Sequence, residues 1–151
     1  MNSTPTFRHC LPGMVAAATL ALSAFSMSAT ADELLFKLSG DAEVPPVATT
    51  ASGTGAININ PDMTVSGKVT TSAVAATMAH IHVGKAGANG AVVVTLAKSG
   101  DNVWLVPDGT RLSEAAYQSY KAGELYVNVH TAEHKAGEIR GQLNPPNASA
   151  Y

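Results

Sequence analysis

The chain has almost no cysteine: Cys10 is the single one among 151 residues, and it lies in a leader-like segment expected to be removed. A chain working without that segment has no disulfide and no thiolate metal ligand, so its stability must come from packing. Basic charge is also sparse. Beyond residue 31 there are eight Lys and Arg against eleven Asp and Glu, which argues against a nucleic-acid partner and against an anionic membrane surface. Long hydrophobic runs are missing as well: the apolar stretch MVAAATLALSAFSM (14–27) is short for a membrane span and no second one follows. No phosphate-cradling glycine loop and no Ser/His/Asp arrangement can be read from the spacing; GKAGANG (84–90) lacks the P-loop order and suits a turn needing positive φ.

The first segment reads as a secretory signal. Arg8 is its only charge, the apolar stretch follows, and ATA at 29–31 fits an A-x-A cleavage site. Residues 1–31 are therefore expected to be a signal peptide and residues 32–151 one domain, periplasmic or secreted, with no membrane anchor after cleavage. A domain of that size buries a real core.

Short β-rich runs punctuated by Gly, Pro, Asn and Asp dominate the remainder. LLFKL (34–38) leads into SGDAEVPPV (39–47), whose adjacent prolines exclude a central strand. GAININ (55–60) alternates with period two, NPDM (60–63) is a turn, and TVSGKVT (64–70) is expected to return as its hairpin partner. Further strands are expected at 78–83, 91–97, 124–130 and 138–143, and one helix at 113–122 with Ser113 as N-cap and Gly123 just past its end. The pattern predicts an all-β fold, a Greek-key β-sandwich or barrel, with that one short helix. Trp104 and Tyr117, Tyr120 and Tyr126 are expected to pack at the core edge or the helix interface.

Histidine placement is the most informative feature. After residue 31 the histidines are His80, His82, His130 and His134. In the segment MAHIHV (78–83) Met78, His80 and His82 share one strand face, and Ala79, Ile81 and Val83 the other. LYVNVH (125–130) repeats the arrangement, with Leu125, Val127 and Val129 inward and Tyr126, Asn128 and His130 outward. If these strands are neighbours, three imidazoles meet on the outside of the sheet, and His134 can close the set from the following turn. Alternate strand residues rise by roughly 6.6 Å, a spacing from which leaning imidazoles reach one ion at about 2.0 Å. The same pattern also suits cross-strand hydrogen bonding without metal.

Imidazole ligands suit copper and zinc, and the divalent affinity order peaks at copper. Met78 offers a thioether on the same face, although methionine also fills packing gaps. Oxygen-seeking calcium and magnesium are disfavoured. Copper is the expected ion, with zinc as the alternative. Asn128 is expected to satisfy a neighbouring backbone group or to orient a ligand ring. Arg140 shares its strand face with Glu138 and Gln142, where it either attracts an anion toward the histidines or pairs with Glu138 or Glu133.

LSGDAEVPPV, AHIHVGKAGANGAVV and AGELYVNVHTAEHKAGEIRGQL together resemble the CHRD domain, a module first named from chordin, over roughly residues 36–143. The resemblance implies an immunoglobulin-like β-barrel and an extracellular setting, and supplies no reaction. His80, His82 and His130 fall on the family's HIH and NVHT motifs, whereas His134 and Met78 lie outside them. HIHVGKAGANG is more loosely similar to the histidine strand and glycine loop of Cu/Zn superoxide dismutase, but the disulfide cysteines and clear zinc ligands of that family are absent. The expectation is a secreted or periplasmic copper-binding CHRD protein for copper handling, the metal held by His80, His82 and His130 with His134 or Met78 completing the shell. Two alternatives remain: an extracellular module that binds a protein partner without metal, and a copper-only dismutase-like enzyme in which Arg140 assists.

Overall fold

Alternation sets the first three strands. In the computed structural model, which describes Met1 and residues 33–146, β1 (Glu33–Ser39), β2 (Ser52–Ile59) and β3 (Val65–Ser72) form an antiparallel meander. Leu34, Leu38, Ile57, Ile59, Val65 and Val69 point inward and are buried. Their register neighbours Leu35, Lys37, Thr54, Lys68 and Thr70 face out. The expected hairpin forms between β2 and β3: Asn60 N donates to Thr64 O at 2.9 Å and its side-chain amide donates to Thr64 Oγ1 at 2.8 Å. All of the expected leader after Met1 and the last residues, 147–151, lie outside the described residues.

The remaining strands are β4 (Met78–Val83), β5 (Val92–Thr95), β6 (Ala97–Lys98), β7 (Val103–Leu105), β8 (Leu125–His130) and β9 (Ile139–Leu143). All nine join one antiparallel sheet in the order β5-β4-β8-β9-β1-β2-β3-β7-β6. Its two terminal strands, β5 and β6, are separated in the chain by Leu96 alone, so the sheet's ends are brought together and it curls into a nearly closed barrel. The Leu96 N–H donates to Ala79 O at 2.9 Å, holding that corner against β4. The single strand expected at 91–97 is therefore broken, because one segment must serve both ends of the sheet. Strand β7, which carries the buried Trp104, was not anticipated: three residues between turn signals are too short to show a period.

Inside the barrel, Ile57, Val69, Ile81, Leu125, Val127, Val129, Ile139 and Leu143 are sealed from solvent, each contributing about 1.5–3 kcal/mol by burial. The helix α1 (Glu114–Lys121) forms where expected. Ser113 Oγ accepts from Ala116 N at 3.2 Å, satisfying an otherwise unpaired N-terminal donor, and Gly123 past the end takes φ +72°, the left-handed turn that glycine adopts without a Cβ clash. Ala116 and Tyr120 anchor the helix to the core. The fold is all-β with one short helix, and among the described residues no helix is long and apolar enough to cross a membrane.

Candidate metal centre

Strands β4 and β8 are neighbours, paired antiparallel with Met78 opposite His130, His80 opposite Asn128 and His82 opposite Tyr126. Because side chains alternate, these six residues share the outer face, and Ala79, Ile81, Val127 and Val129 fill the core. The β8 side of this outer face is not open to water, however, although Met78 on β4 remains exposed. All six residues of β8 are buried, because the segments 39–47, 84–90 and 131–138 fold over it and make a second, polar layer outside the barrel.

In that layer the ligand-capable nitrogens of His80, His82 and His130 lie within 4.8 Å of one another. Three nitrogens around one ion at about 2.0–2.1 Å lie about 3.4–3.6 Å apart, so a closure of the rings by no more than about 1.4 Å assembles the site. The backbone fixes two of the three tautomers. His82 Nδ1 lies 3.0 Å from Gly90 O and His130 Nδ1 lies 3.0 Å from Lys135 O. A carbonyl only accepts, so each ring carries its proton on Nδ1 and presents a bare Nε2. His130 Nε2 is met by His80 Nδ1 at 2.9 Å, whereas His82 Nε2 is buried with no hydrogen-bond partner among the described residues. A buried, unpaired lone pair costs free energy, and a bound cation satisfies it. Backbone carbonyls behind ligand imidazoles are the arrangement that orients such ligands and raises their basicity.

Burial holds all three imidazoles below the usual histidine range. For His80 the next cause is the neighbouring His82; for His82 and His130 the carbonyl hydrogen bond opposes the shift, while Arg140 adds to it at His82 and the other histidines add to it at His130. The rings are thus kept neutral, the form that binds metal.

The other expected participants stand differently. His134 is not among the convergent residues; its main chain shapes the turn instead. Thr131 N and Gly137 N donate to His134 O at 3.3 and 3.1 Å, and His134 N donates to Thr131 Oγ1 at 3.0 Å, which presents the Lys135 carbonyl to His130. Met78 sits at the rim, 47 % exposed, directly across from His130.

Arg140 differs most from expectation. It is 1 % exposed and pairs with neither Glu138 nor Glu133 among the ion pairs found; Glu138 instead accepts from Thr49 Oγ1 at 2.7 Å. Its Nη2 donates to Lys85 O and Ala88 O, both at 3.0 Å, clamping the loop 84–90, and its guanidinium lies 3.4 Å from the centroid of the Tyr126 ring. Tyr126 stacks in turn on His82, with centroids 4.9 Å apart and planes 9° off parallel.

Asn128 fills the role of a buried polar anchor. Its amide donates to both carboxylate oxygens of Glu43, at 2.8 and 2.9 Å. Glu43, in the loop after β1, is 5 % exposed, and burial raises its carboxyl above the ordinary range against the opposing pull of Asn128 and Arg140. Neither Glu43 nor the Gly90 and Lys135 carbonyls were foreseen from sequence. A carbonyl leaves no signal in residue type, and Glu43 lies 85 positions from Asn128.

The comparison that identifies the family covers this whole layer: the CHRD domain model matches residues 34–143. The chain belongs to the CHRD domain family. The matched span of this CHRD domain runs from β1 to the end of β9 and includes the three clustered histidines, Glu43 and Arg140. Neither a curated protein nor a solved structure matches the chain.

Proposed function

We propose that this CHRD protein binds one copper ion through Nε2 of His82, Nε2 of His130 and a ring nitrogen of His80, and serves copper handling in the periplasm or outside the cell. The observation that carries the reading is the buried, unpartnered Nε2 of His82, aimed from a ring whose opposite nitrogen is fixed by Gly90 O. Three neutral imidazoles without a thiolate favour copper, with zinc the chief competitor. Met78, at the rim, is the candidate for a fourth ligand; His134, outside the cluster, is not. The charged, apolar and A-x-A features of residues 1–31 support export.

Each chain residue has a defined task in this reading. Gly90 and Lys135 hold the Nδ1 protons and aim the rings, Tyr126 packs flat against His82, and Arg140 holds the 84–90 loop that carries Gly90. A copper ion supplies a soft, redox-active cation as cargo. The metal-free interaction module keeps one observation in its favour, since the His80–His130 hydrogen bond satisfies two of the rings without an ion. The dismutase-like reading is weakened by Arg140, whose donors are engaged by loop carbonyls.

Titration of the purified metal-free protein with copper at pH 7.5, followed by paramagnetic resonance, tests the proposal. One equivalent with a multi-nitrogen signal is expected, lost in the His80→Ala/His82→Ala double variant. Equal weak binding by the wild type and the double variant overturns it and favours the interaction module.

A further inference from the structure

Behind the three histidines, three neighbouring strands stack a cation, a phenol and an imidazole. His82 on β4 lies directly opposite Tyr126 on β8, and Arg140 on β9 lies opposite Asn128, one pleat along on the far side of Tyr126. The Tyr126 ring is therefore sandwiched, with His82 on one side at 4.9 Å and the Arg140 guanidinium on the other at 3.4 Å. Tyr126 and Arg140 are both almost wholly buried. A guanidinium cannot lose its proton under ordinary conditions, and its field through a buried ring is screened far less than that of a surface charge.

We propose that Arg140, acting through the Tyr126–His82 stack, makes the three-histidine site discriminate by ionic charge, favouring monovalent over divalent copper. This rests on the copper reading above. Repulsion from a fixed positive charge scales with the charge of the bound ion, so a dipositive ion is opposed twice as strongly as a monopositive one. The ligands add nothing to offset it, since all three are neutral imidazoles. The acidic group nearby is Glu43, which lies outside the stack and is tied through both carboxylate oxygens to Asn128 at 2.8 and 2.9 Å; it is the same in every variant compared, so the Arg140 substitutions isolate the guanidinium's own charge. Arg140 is a positioning and field-setting residue here, and does not touch the ion.

The test compares affinities for Cu(I), measured anaerobically against a chromophoric chelator, with those for Cu(II) and for redox-inert Zn(II), in the full chain and its variants. In Arg140→Gln the Cu(I)-to-Cu(II) affinity ratio is expected to fall about tenfold, equivalent to lowering the one-electron reduction potential by about 59 mV, with Zn(II) binding strengthened. Arg140→Lys, which keeps the charge but loses the fork that clamps the loop, should keep the ratio within about threefold. Asn89→Asp places a carboxylate where Asn89 Oδ1 meets Arg140 Nη1 at 3.4 Å, at an exposed position and at the loss of the Asn89 Nδ2 bond to Val44 O, and should lower the ratio in the same direction. It decides the matter if Arg140→Gln does not fold. An unchanged ratio in Asn89→Asp or Arg140→Gln, or an equal fall in Arg140→Lys, overturns the charge argument while leaving the copper site standing. A wild-type protein that binds none of these ions overturns the copper reading and this inference with it.

Discussion

His80 Nδ1 lies 2.9 Å from His130 Nε2 across the β4–β8 pair. Since Lys135 O fixes the His130 proton on Nδ1, the bond runs from His80 N–H to the bare His130 nitrogen. The metal-free protein thus closes two of its three imidazoles on each other and leaves His82 alone unsatisfied. A neutral hydrogen bond contributes only about 1 kcal/mol net, so it holds the rings in place yet yields readily to coordination.

Ligand substitutions should divide sharply. His130→Ala and His82→Ala each remove a preset Nε2 and should weaken copper binding by about 100-fold or more, beyond the range found for residues behind a ligand. His134→Ala keeps the backbone bonds that shape the turn and should change affinity by less than about threefold, since that ring is not among the convergent ones. Competition titration of each variant against a chelator of known affinity checks both expectations.

The pH dependence follows from the depressed histidines. Burial lowers the folded-state values of His80, His82 and His130 below 6.5, so at any given pH protons compete with metal less than they do for free imidazoles. Between pH 7.5 and 6.5 the affinity should fall by less than the roughly sixfold that three unshifted imidazoles, each half-protonated at pH 6.5, would give. The metal-free protein follows the same sign: between the folded and unfolded values the unfolded chain binds more protons, so the histidines make no contribution above pH 6.5 and reduce stability as pH drops below it. Glu43 acts in the opposite sense, because its raised carboxyl costs stability as pH rises above 4.5 and it ionises. Zinc and copper titrations in steps from pH 7.5 to pH 5, with urea melts of the metal-free protein alongside, read out both effects. A fall of about sixfold or more between pH 7.5 and 6.5 contradicts the buried-imidazole account.

Gly137 has φ +140°, and a Cβ there meets Asn128 Nδ2 at 2.4 Å and Glu43 Oε1 at 2.6 Å. Neither neighbour is a free end, since each is tied to the other. Gly137→Ala should therefore cost about 1–3 kcal/mol through backbone strain and overpacking together. The urea midpoint should fall with little change in slope, and an unchanged midpoint shows that the turn yields freely.

Asn128→Ala removes the donor of two hydrogen bonds to the buried Glu43 carboxylate and should destabilise by about 1–3 kcal/mol, the cost of a buried acceptor left unpaired. A double-mutant cycle with Glu43→Ala should return a coupling of at least about 0.5 kcal/mol between the two. Strict additivity rules the pair out as an energetic link between the 39–47 loop and β8.

Much of this arrangement was legible because it is local. MAHIHV and LYVNVH alternate with period two, which fixed both the core residues and the histidine face, and the Asn60–Met63 turn and Ser113 cap announced themselves by residue type. The covering of β8 was not legible. Its outer residues look like a solvent face in sequence, and only the folding-over of 39–47, 84–90 and 131–138 buries them. Arg140 illustrates the same limit: a charged residue on the last strand of the sequence reads as exposed, yet here loop carbonyls and an aromatic face replace its water. His134 is set apart from the three convergent rings; its main chain, bonded to Thr131 and Gly137, shapes the turn, a role that residue type does not announce. The break of 91–97 into two strands is set by barrel closure, a property of the whole sheet.

X-ray absorption on the copper-loaded full chain addresses the coordination sphere itself. The account predicts three imidazole nitrogens at about 2.0 Å, with one scatterer lost in His82→Ala. A first shell dominated by oxygen, or a spectrum indifferent to His82→Ala, contradicts it.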